Sequence, residues 1–400
     1  MAEQEKTARE QHGATERVRR LREESLNTQP RIYMERAVLE TEAYEKYEGT
    51  VSVPELRALT LRHFFENRFI SIHKGELIVG EKGDGPQSAP TFPELCCHTL
   101  EDMKIMDQRE LIRFAVSEED LRIQKEKIIP YWEKRSIRHK ILSSMSEEWK
   151  AAYECGIFTE FMEQRGPGHT VGSNKIYQKG LSDYQEDIRR AMDSLDFIHD
   201  REALHRKEEL SAMYIACEAV MILGRRYEEL ARKMAAEETD PQWKADLLTI
   251  AENCAVVPAH KPQTFHQALQ MYWFVHLAVT SELNPWDSYS PGRLDQHVIP
   301  FYRADVAEGR LTRDQALELL ECLWVKFNNQ PAPPKVGVTL KESGTYTDFA
   351  NINTGGITPD GRDGVNEVSY LILDCMDDMK LLQPSSNAVS YTHLRAHETC

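Results

Sequence analysis

The segment 284–302 reads Asn-Pro-Trp-Asp-Ser-Tyr-Ser-Pro-Gly-Arg-Leu-Asp-Gln-His-Val-Ile-Pro-Phe-Tyr and follows an apolar, aromatic run at Phe265–Val279. The run has apolar residues on nearly every side of a helix, which predicts a deeply buried helix. Pro291-Gly292 is a turn signal. The polar residues around it are therefore expected on a loop held by buried elements, where binding and catalytic side chains concentrate.

The polar residues of this segment allow two interpretations. In the first, Arg293 and Asp295 pair with each other and order the turn, so that their role is structural. In the second, the cluster contributes to a binding or catalytic site. Composition alone does not decide between the two interpretations.

Bulk composition narrows the class of protein. The 400 residues can bury a large core in two or three domains, and 41% hydrophobic content is ordinary for a globular protein. We find no apolar run of eighteen residues, and Met1–Arg22 is charged, so neither a membrane span nor a signal peptide is expected. A cytoplasmic location is predicted by default. The net charge of −16 argues against nucleic acid as a partner.

The cysteines predict neither disulfides nor a metal site. Eight are present and no Cys-x-x-Cys pair occurs, which favours reduced and mostly buried thiols. Cys96 and Cys97 stand beside His98, but this spacing fits no metal template. Cys155 lies in a helical stretch and is expected in the core.

Local patterns predict a mostly helical chain with few strands. Helical periodicity or capping signals mark residues 15–47 with a break at Pro30, 53–68, 178–253, 265–279, 312–329 and 366–379. Short strands are predicted at Leu77–Val79 and Val336–Leu340. A proline-rich loop is predicted at Pro86–Pro93.

Several motifs in a fixed order resemble those of glycyl radical enzymes, the pyruvate formate-lyase superfamily. Their sequences are Glu-Leu-Ile-Val-Gly-Glu at 76–81, Phe-Thr-Glu-Phe at 158–161, Arg-Gly-Pro-Gly-His-Thr at 165–170, Pro-Gly-Arg-Leu-Asp-Gln-His at 291–297, Asn-Thr-Gly-Gly at 353–356 and Gly-Val-Asn-Glu at 364–367. Within the superfamily, the chain is most similar to the branch that removes water from a hydroxylated proline. The resemblance covers roughly residues 15–387.

The resemblance implies a fold and an organisation. The fold would be a mostly helical α/β type, the N-terminal part of a ten-stranded α/β barrel. Residues 1–14 would be a disordered N-terminus, 15–387 the N-terminal part of the pyruvate formate-lyase-like domain, and 388–400 a non-native tail that resembles translated adapter sequence. The radical cysteine in a Gly-Cys-x-Glu setting and the storage glycine of the family do not occur in the sequence. We therefore expect an inactive N-terminal fragment.

The resemblance also implies site residues and partners. His169 and Asp287 would be catalytic, and Phe161, Ser343 and Phe349 would bind substrate. The chain itself would bind no cofactor and no metal, while the full-length enzyme would carry a glycyl radical. The expected partners are a small-molecule substrate, a radical S-adenosylmethionine activating enzyme and, for the full-length protein, a second copy in a homodimer.

The implied reaction is a dehydration that leaves a pyrroline carboxylate, with His169 or Asp287 positioning or protonating the departing hydroxyl. One alternative is another glycyl radical enzyme, a diol dehydratase or a formate C-acetyltransferase. A second alternative is a non-catalytic helical scaffold. The scaffold would leave the polar loops at 165–172, 284–297 and 341–356 without a role, so convergence of these three loops discriminates between the classes.

Overall fold

Helices dominate the chain. The computed structural model describes residues 13–158, 170–283, 289–332 and 350–389. Its α-helices are α1 (Glu16–Asn27), α2 (Glu35–Tyr47), α3 (Val53–Asn67), α4 (Leu100–Gln108), α5 (Glu118–Ile123), α6 (Ile129–Trp132), α7 (Ile137–Ser144), α8 (Glu147–Glu154), α9 (Leu181–Asp193), α10 (Ala203–Glu237), α11 (Pro241–Val256), α12 (Phe265–Glu282), α13 (Leu294–Ala307), α14 (Arg313–Asn328) and α15 (Glu367–Met379). A π-helical turn, Gln124–Ile128, joins α5 to α6, and a short 3-10 helix covers Lys175–Tyr177. Within these ranges, none of the helices combines the length and apolar character needed to cross a membrane.

The described strands form two parallel pairs. They are β1 (Arg31–Tyr33), β2 (Ser88–Pro90), β3 (Asn351–Gly355) and β4 (Ser385–Val389), and β1 pairs with β2 while β3 pairs with β4. Parallel neighbours need a long crossover, and α15 supplies it between β3 and β4. The predicted mostly helical α/β class is confirmed.

Helix α12 occupies the centre of the molecule. Thr264 caps its start by accepting the backbone N–H of Gln267. One of its faces packs in the largest core with α13, α14 and α15, and Phe274 and Ala278 on another face join the core formed with α3, α10 and α11. A helix that is mainly apolar on more than one face needs burial on each of them, and the predicted deep burial is confirmed.

The strand predicted at Leu77–Val79 is wrong, although the segment is buried. Its backbone groups bond to side chains of α12 instead of to a neighbouring strand. Gln270 accepts the N–H of Val79 at 2.9 Å and donates to its carbonyl at 3.0 Å, and His266 lies 2.7 Å from the carbonyl of Leu77. A buried backbone group needs a partner, and here amide and imidazole groups satisfy that need.

Two further expectations need correction. The loop predicted at Pro86–Pro93 contains β2. Cys155 is exposed, because it caps the C-terminal end of α8 on the surface. Of the other described cysteines, four are buried and two partly buried, so the prediction of mostly buried, unpaired thiols holds for this part of the chain. Strand β4 runs to Val389, past the proposed boundary at Asn387, and that boundary stays a prediction.

A charged triad is buried inside the protein near the C-terminal end of α14. Lys326 of α14 donates to Glu76 at 2.5 Å and to Glu81 at 2.7 Å, and all three side chains are at most 5% exposed. Asn329 and Gln330 also donate to Glu81. The two carboxylates raise the pKa of Lys326 and overcome the opposing effect of burial. The ammonium therefore stays charged and ties the 76–81 segment to α14.

Glu321, also on α14, makes the stability of the protein pH-dependent. The side chain is buried, and burial together with the neighbouring carboxylates Asp378 and Glu318 raises the pKa of Glu321 to about 8. This value in the folded protein exceeds the ordinary value of about 4.3, so the neutral carboxyl stabilises the folded protein fully below about pH 4.3. The stabilisation is lost as the pH rises from there through 8.

Replacing Glu321 with glutamine is expected to remove this pH dependence. An amide cannot ionise, so the variant should have an unfolding free energy about 1–3 kcal/mol above that of the unmodified protein at pH 8, with a difference below about 1 kcal/mol at pH 5. Urea titrations at the two pH values measure both quantities. Glu229→Gln on the exposed face of α10 is the control. Equal shifts at pH 5 and pH 8 would show that Glu321 is ionised in the folded protein.

Candidate functional site

Three segments that are distant in sequence meet at one place. They are Thr170–Val171, Ser290–Gly292 and Asn351–Asn353, which we call the junction. Parallel bridges pair Thr170 with Ser290 and Gly292 with Ile352. Each segment is part of one of the three polar loops, 165–172, 284–297 and 341–356. The described parts of those loops therefore converge, as a shared site requires.

The middle segment bonds to both of its neighbours. The carbonyl of Ser290 accepts the N–H of Val171 at 2.9 Å, and its hydroxyl accepts the N–H of Asn351 at 3.0 Å. The carbonyl of Gly292 accepts the N–H of Asn353 at 2.9 Å. Since β3 begins at Asn351 and continues beside β4, the junction extends the parallel pairing of that sheet.

The glycine of the junction has two reasons to be glycine. Its φ is +65°, a conformation that side chains disfavour, and a Cβ at this position would lie 2.7 Å from Cγ2 of Thr170. Gly292 therefore lets the middle segment approach the first one closely. The predicted turn at Pro291-Gly292 thus brings the middle segment into contact with the first one.

Arg293 and Asp295 do not pair with each other among the described residues, so the predicted direct pair is wrong. Arg293 donates to the carbonyls of Gly355 at 2.7 Å and Ile357 at 2.9 Å. Asp295 is fully buried and accepts the N–H of Gly355 at 2.7 Å and the hydroxyl of Ser369 at 2.5 Å. Both residues bind Gly355 at the end of β3, Arg293 at its carbonyl and Asp295 at its N–H. Their role is structural, and it is exerted through this shared partner.

The residues after the turn lie on a helix and not on the predicted loop. Arg293 occupies the N-cap position of α13, so Asp295 falls in its first turn, where the helix dipole favours a negative charge. His297 also lies on α13, with its ring centroid 5.6 Å from that of Tyr177. Burial lowers the pKa of His297, which leaves the imidazole mainly neutral at pH 7.

All five predicted site residues lie outside the described ranges. They are Phe161, His169, Asp287, Ser343 and Phe349, and their placement in one cavity stays a prediction. The strand predicted at Val336–Leu340 also lies outside the described ranges. Within those ranges, no cluster of three or more His, Cys, Asp or Glu side chains is arranged to hold a metal ion.

A groove of about 560 Å³ is a separate feature. Its lining is mainly apolar and comes from α3, α10 and α12, with Leu61, Met213 and Val279 as representative members. None of the junction residues lines it. The groove therefore does not unite the segments that carry the predicted site, and the junction is the better guide to that site.

Comparison with known proteins gives the family. A family model described as "Pyruvate formate lyase-like" matches residues 12–395. The chain belongs to the pyruvate formate-lyase-like family. The resemblance to glycyl radical enzymes in the sequence is thereby confirmed.

Individual relatives agree with this assignment. The trans-4-hydroxy-L-proline dehydratase of Clostridioides difficile is 65% identical over 94% of this chain and 48% of its own length. A crystal structure of hydroxyproline dehydratase from that organism, with trans-4-hydroxy-L-proline bound, superimposes with a TM-score of 0.91 and the same identity and coverage. The glycerol-bound B12-independent glycerol dehydratase of Clostridium butyricum gives a TM-score of 0.89 at 29% identity, covering 96% of this chain and 48% of that chain. The chain spans about half the length of the relatives that it matches.

Sequence reasoning located the polar loops but missed what joins them. Ser290 carried no signal of its own, because a serine before Pro-Gly is an ordinary turn residue. The triad at Lys326 was also missed. The available signals were a lysine in the otherwise apolar run Cys322–Phe327 and two glutamates around the apolar segment 77–79.

Proposed function

We propose that the complete enzyme, the product of the complete reading frame that contains this sequence, removes water from trans-4-hydroxy-L-proline and leaves a pyrroline carboxylate. The observation that carries the proposal is the 65% identity, over 94% of this chain, to a trans-4-hydroxy-L-proline dehydratase. The structural likeness to a hydroxyproline dehydratase with that substrate bound supports it. The chain would contribute one half of the active site.

Covalent geometry supports a shared site at the junction. His169 immediately precedes Thr170, Asp287 precedes Ser290 by three positions, and Phe349 precedes Asn351 by two. A chain advances at most about 3.6 Å per residue. The Cα atoms of His169, Phe349 and Asp287 would therefore lie within about 4, 7 and 11 Å of their respective junction residues.

His169 and Asp287 are assigned complementary tasks. The substrate has a secondary ammonium in its ring. Its hydroxyl is on the ring carbon that lies two bonds from that nitrogen. A carboxylate at Asp287 can bind the ammonium or the hydroxyl through a charge-assisted hydrogen bond. His169 can hold or supply the proton that leaves with the hydroxyl as water. Phe161, Ser343 and Phe349 would form the walls of the pocket and exclude solvent.

The radical chemistry would be carried by residues other than the five predicted site residues. In the proposed reaction, the thiyl radical of the complete enzyme would take a hydrogen atom from the ring carbon next to the nitrogen and would return one to the ring after water has left. No Gly-Cys-x-Glu motif occurs in this sequence. We therefore assign to this chain only binding, orientation and proton transfer. A radical S-adenosylmethionine activating enzyme, a homodimeric state and a cytoplasmic location are parts of the same proposal.

A diol dehydratase is the second candidate, because the glycerol dehydratase of Clostridium butyricum superimposes almost as well. The two functions are separated by activating the complete enzyme anaerobically and offering trans-4-hydroxy-L-proline, cis-4-hydroxy-L-proline and glycerol in parallel. We expect pyrroline carboxylate from the trans isomer alone. Turnover of glycerol, without turnover of trans-4-hydroxy-L-proline, would replace the proposal with the second candidate.

The 400-residue chain is the control in the same experiment. It should show no glycyl radical signal in electron paramagnetic resonance, because it lacks the glycine motif of the family. The complete enzyme should show the signal. A radical on the 400-residue chain would contradict the assignment of radical chemistry to other residues.

A further inference from the structure

Ser290 is bonded to both neighbouring segments of the junction through different atoms. Its carbonyl oxygen binds Val171, and its hydroxyl oxygen accepts the N–H of Asn351 at 3.0 Å. The residue is 9% exposed, so water is a poor substitute for the hydroxyl. The N–H that it accepts belongs to the first residue of β3.

The packing around Ser290 leaves little freedom. Gly292 approaches Thr170 so closely that a Cβ would overlap its side chain, and Asn353 donates to the carbonyl of Gly292. The middle segment is thus fixed to the first segment by backbone contact. The middle segment holds the third at Asn351 and Asn353, and β4 pairs with the third segment on another side.

We propose that Ser290 is a positioning residue of the substrate site, because it fixes Asn351–Asn353 relative to Thr170–Val171. The near ends of these segments and Ser290 itself lie within three sequence positions of Phe349, His169 and Asp287. The inference rests on the proposed function, since those three residues are assigned to substrate there. Ser290 need not touch the substrate. It acts through the backbone of Asn351 on one side and of Val171 on the other.

Loss of the hydroxyl has a predictable consequence. The N–H of Asn351 would lose its acceptor in a poorly solvated place, and the start of β3 would move to find another partner. A displacement of about 1 Å in a positioning element can cost about a hundredfold in rate. A serine that only stabilised the fold would leave the kinetic constants of the folded enzyme unchanged.

The test compares Ser290→Ala, Ser290→Thr and Ser117→Ala in the complete enzyme. Ser117 caps α5 by accepting the N–H of Asp120 at 3.1 Å, so its loss removes the same kind of bond far from the junction in sequence. KM and kcat for trans-4-hydroxy-L-proline are measured at equal radical content. Hydrogen exchange is followed in peptides that cover 170–172 and 350–353.

We expect Ser290→Ala to lower kcat/KM by roughly tenfold or more, through kcat as well as KM, and to accelerate exchange in 350–353. Exchange in 170–172 should stay unchanged, because that segment is bonded to the backbone of Ser290. Ser290→Thr keeps the hydroxyl and should recover most of the activity. Ser117→Ala should lower the melting temperature without a change in KM. Unchanged kinetic constants in Ser290→Ala, or no recovery in Ser290→Thr, would overturn the proposal.

Hydrogen exchange separates this proposal from the proposed function. If the unmodified complete enzyme carries the radical but does not consume trans-4-hydroxy-L-proline, the proposed function fails. Faster exchange of 350–353 in Ser290→Ala would still show that the hydroxyl holds the third segment to the middle one. Unchanged exchange in 350–353 would overturn the proposal, because the N–H of Asn351 would then not depend on that hydroxyl.

Discussion

Replacing Lys326 with methionine is expected to lower the free energy of unfolding by about 3–5 kcal/mol. The ammonium lies between two carboxylates, and its side chain and that of Glu81 are at most 3% exposed. Methionine has a similar volume but no charge, so Glu76 and Glu81 would be left facing each other without compensation. Urea unfolding of the complete enzyme measures the change.

Two further variants make this result specific. Lys74→Met breaks an ion pair with Asp240 in which the side chains are 57% and 40% exposed, and it should cost no more than about 1 kcal/mol. Lys326→Met combined with Glu76→Gln and Glu81→Gln removes the uncompensated charges and should recover part of the loss. A Lys326→Met variant as stable as Lys74→Met would show that the triad does not hold 76–81 to α14.

Replacing Asp287 with asparagine is expected to lower kcat/KM for trans-4-hydroxy-L-proline by about a hundredfold or more. Asparagine has nearly the same shape, but it can neither balance the charge of the ammonium nor take part in proton transfer. Loss of one partner of a buried, hydrogen-bonded charge pair costs about 2–5 kcal/mol, which corresponds to about 30- to 5,000-fold. The measurement uses the activated complete enzyme with its radical content quantified.

The matched control is Asp187→Asn, an exposed aspartate on α9 that pairs with Lys179. It should leave kcat/KM unchanged. His169→Gln tests the second assigned role and should lower kcat more than KM if His169 handles the proton. Asp287→Asn with unaltered kcat/KM would remove Asp287 from the substrate site, while the family assignment would stand.

The helices were predictable because their signals are local. Thr312 and Gln315 form a capping box at the start of α14, and Asn366 caps α15, at the starts of the helices predicted at 312–329 and 366–379. The apolar surface of α12 required burial from the sequence alone. Such features depend on residues within a few positions of one another, so periodicity and capping rules detect them.

The candidate site was predictable only in outline. Family motifs indicated which loops matter, but no local rule shows that Ser290 accepts from Asn351, sixty-one positions away. The same limitation explains the errors at Asp295, which binds Gly355 and not its near neighbour Arg293, and at Val79, which bonds to Gln270. Polar side chains that partner distant backbone groups have no periodic signature.

The most direct measurement is a crystal structure of the complete enzyme with trans-4-hydroxy-L-proline bound. We predict that the ligand lies beside the junction. His169 and Asp287 should each be within hydrogen-bonding distance, about 2.6–3.2 Å, of the ammonium or the hydroxyl of the ligand. The hydroxyl of Ser290 should remain on the N–H of Asn351 and away from the ligand. A ligand bound elsewhere, or side chains of His169 and Asp287 more than about 12 Å apart, too far to share one small substrate, would contradict the account.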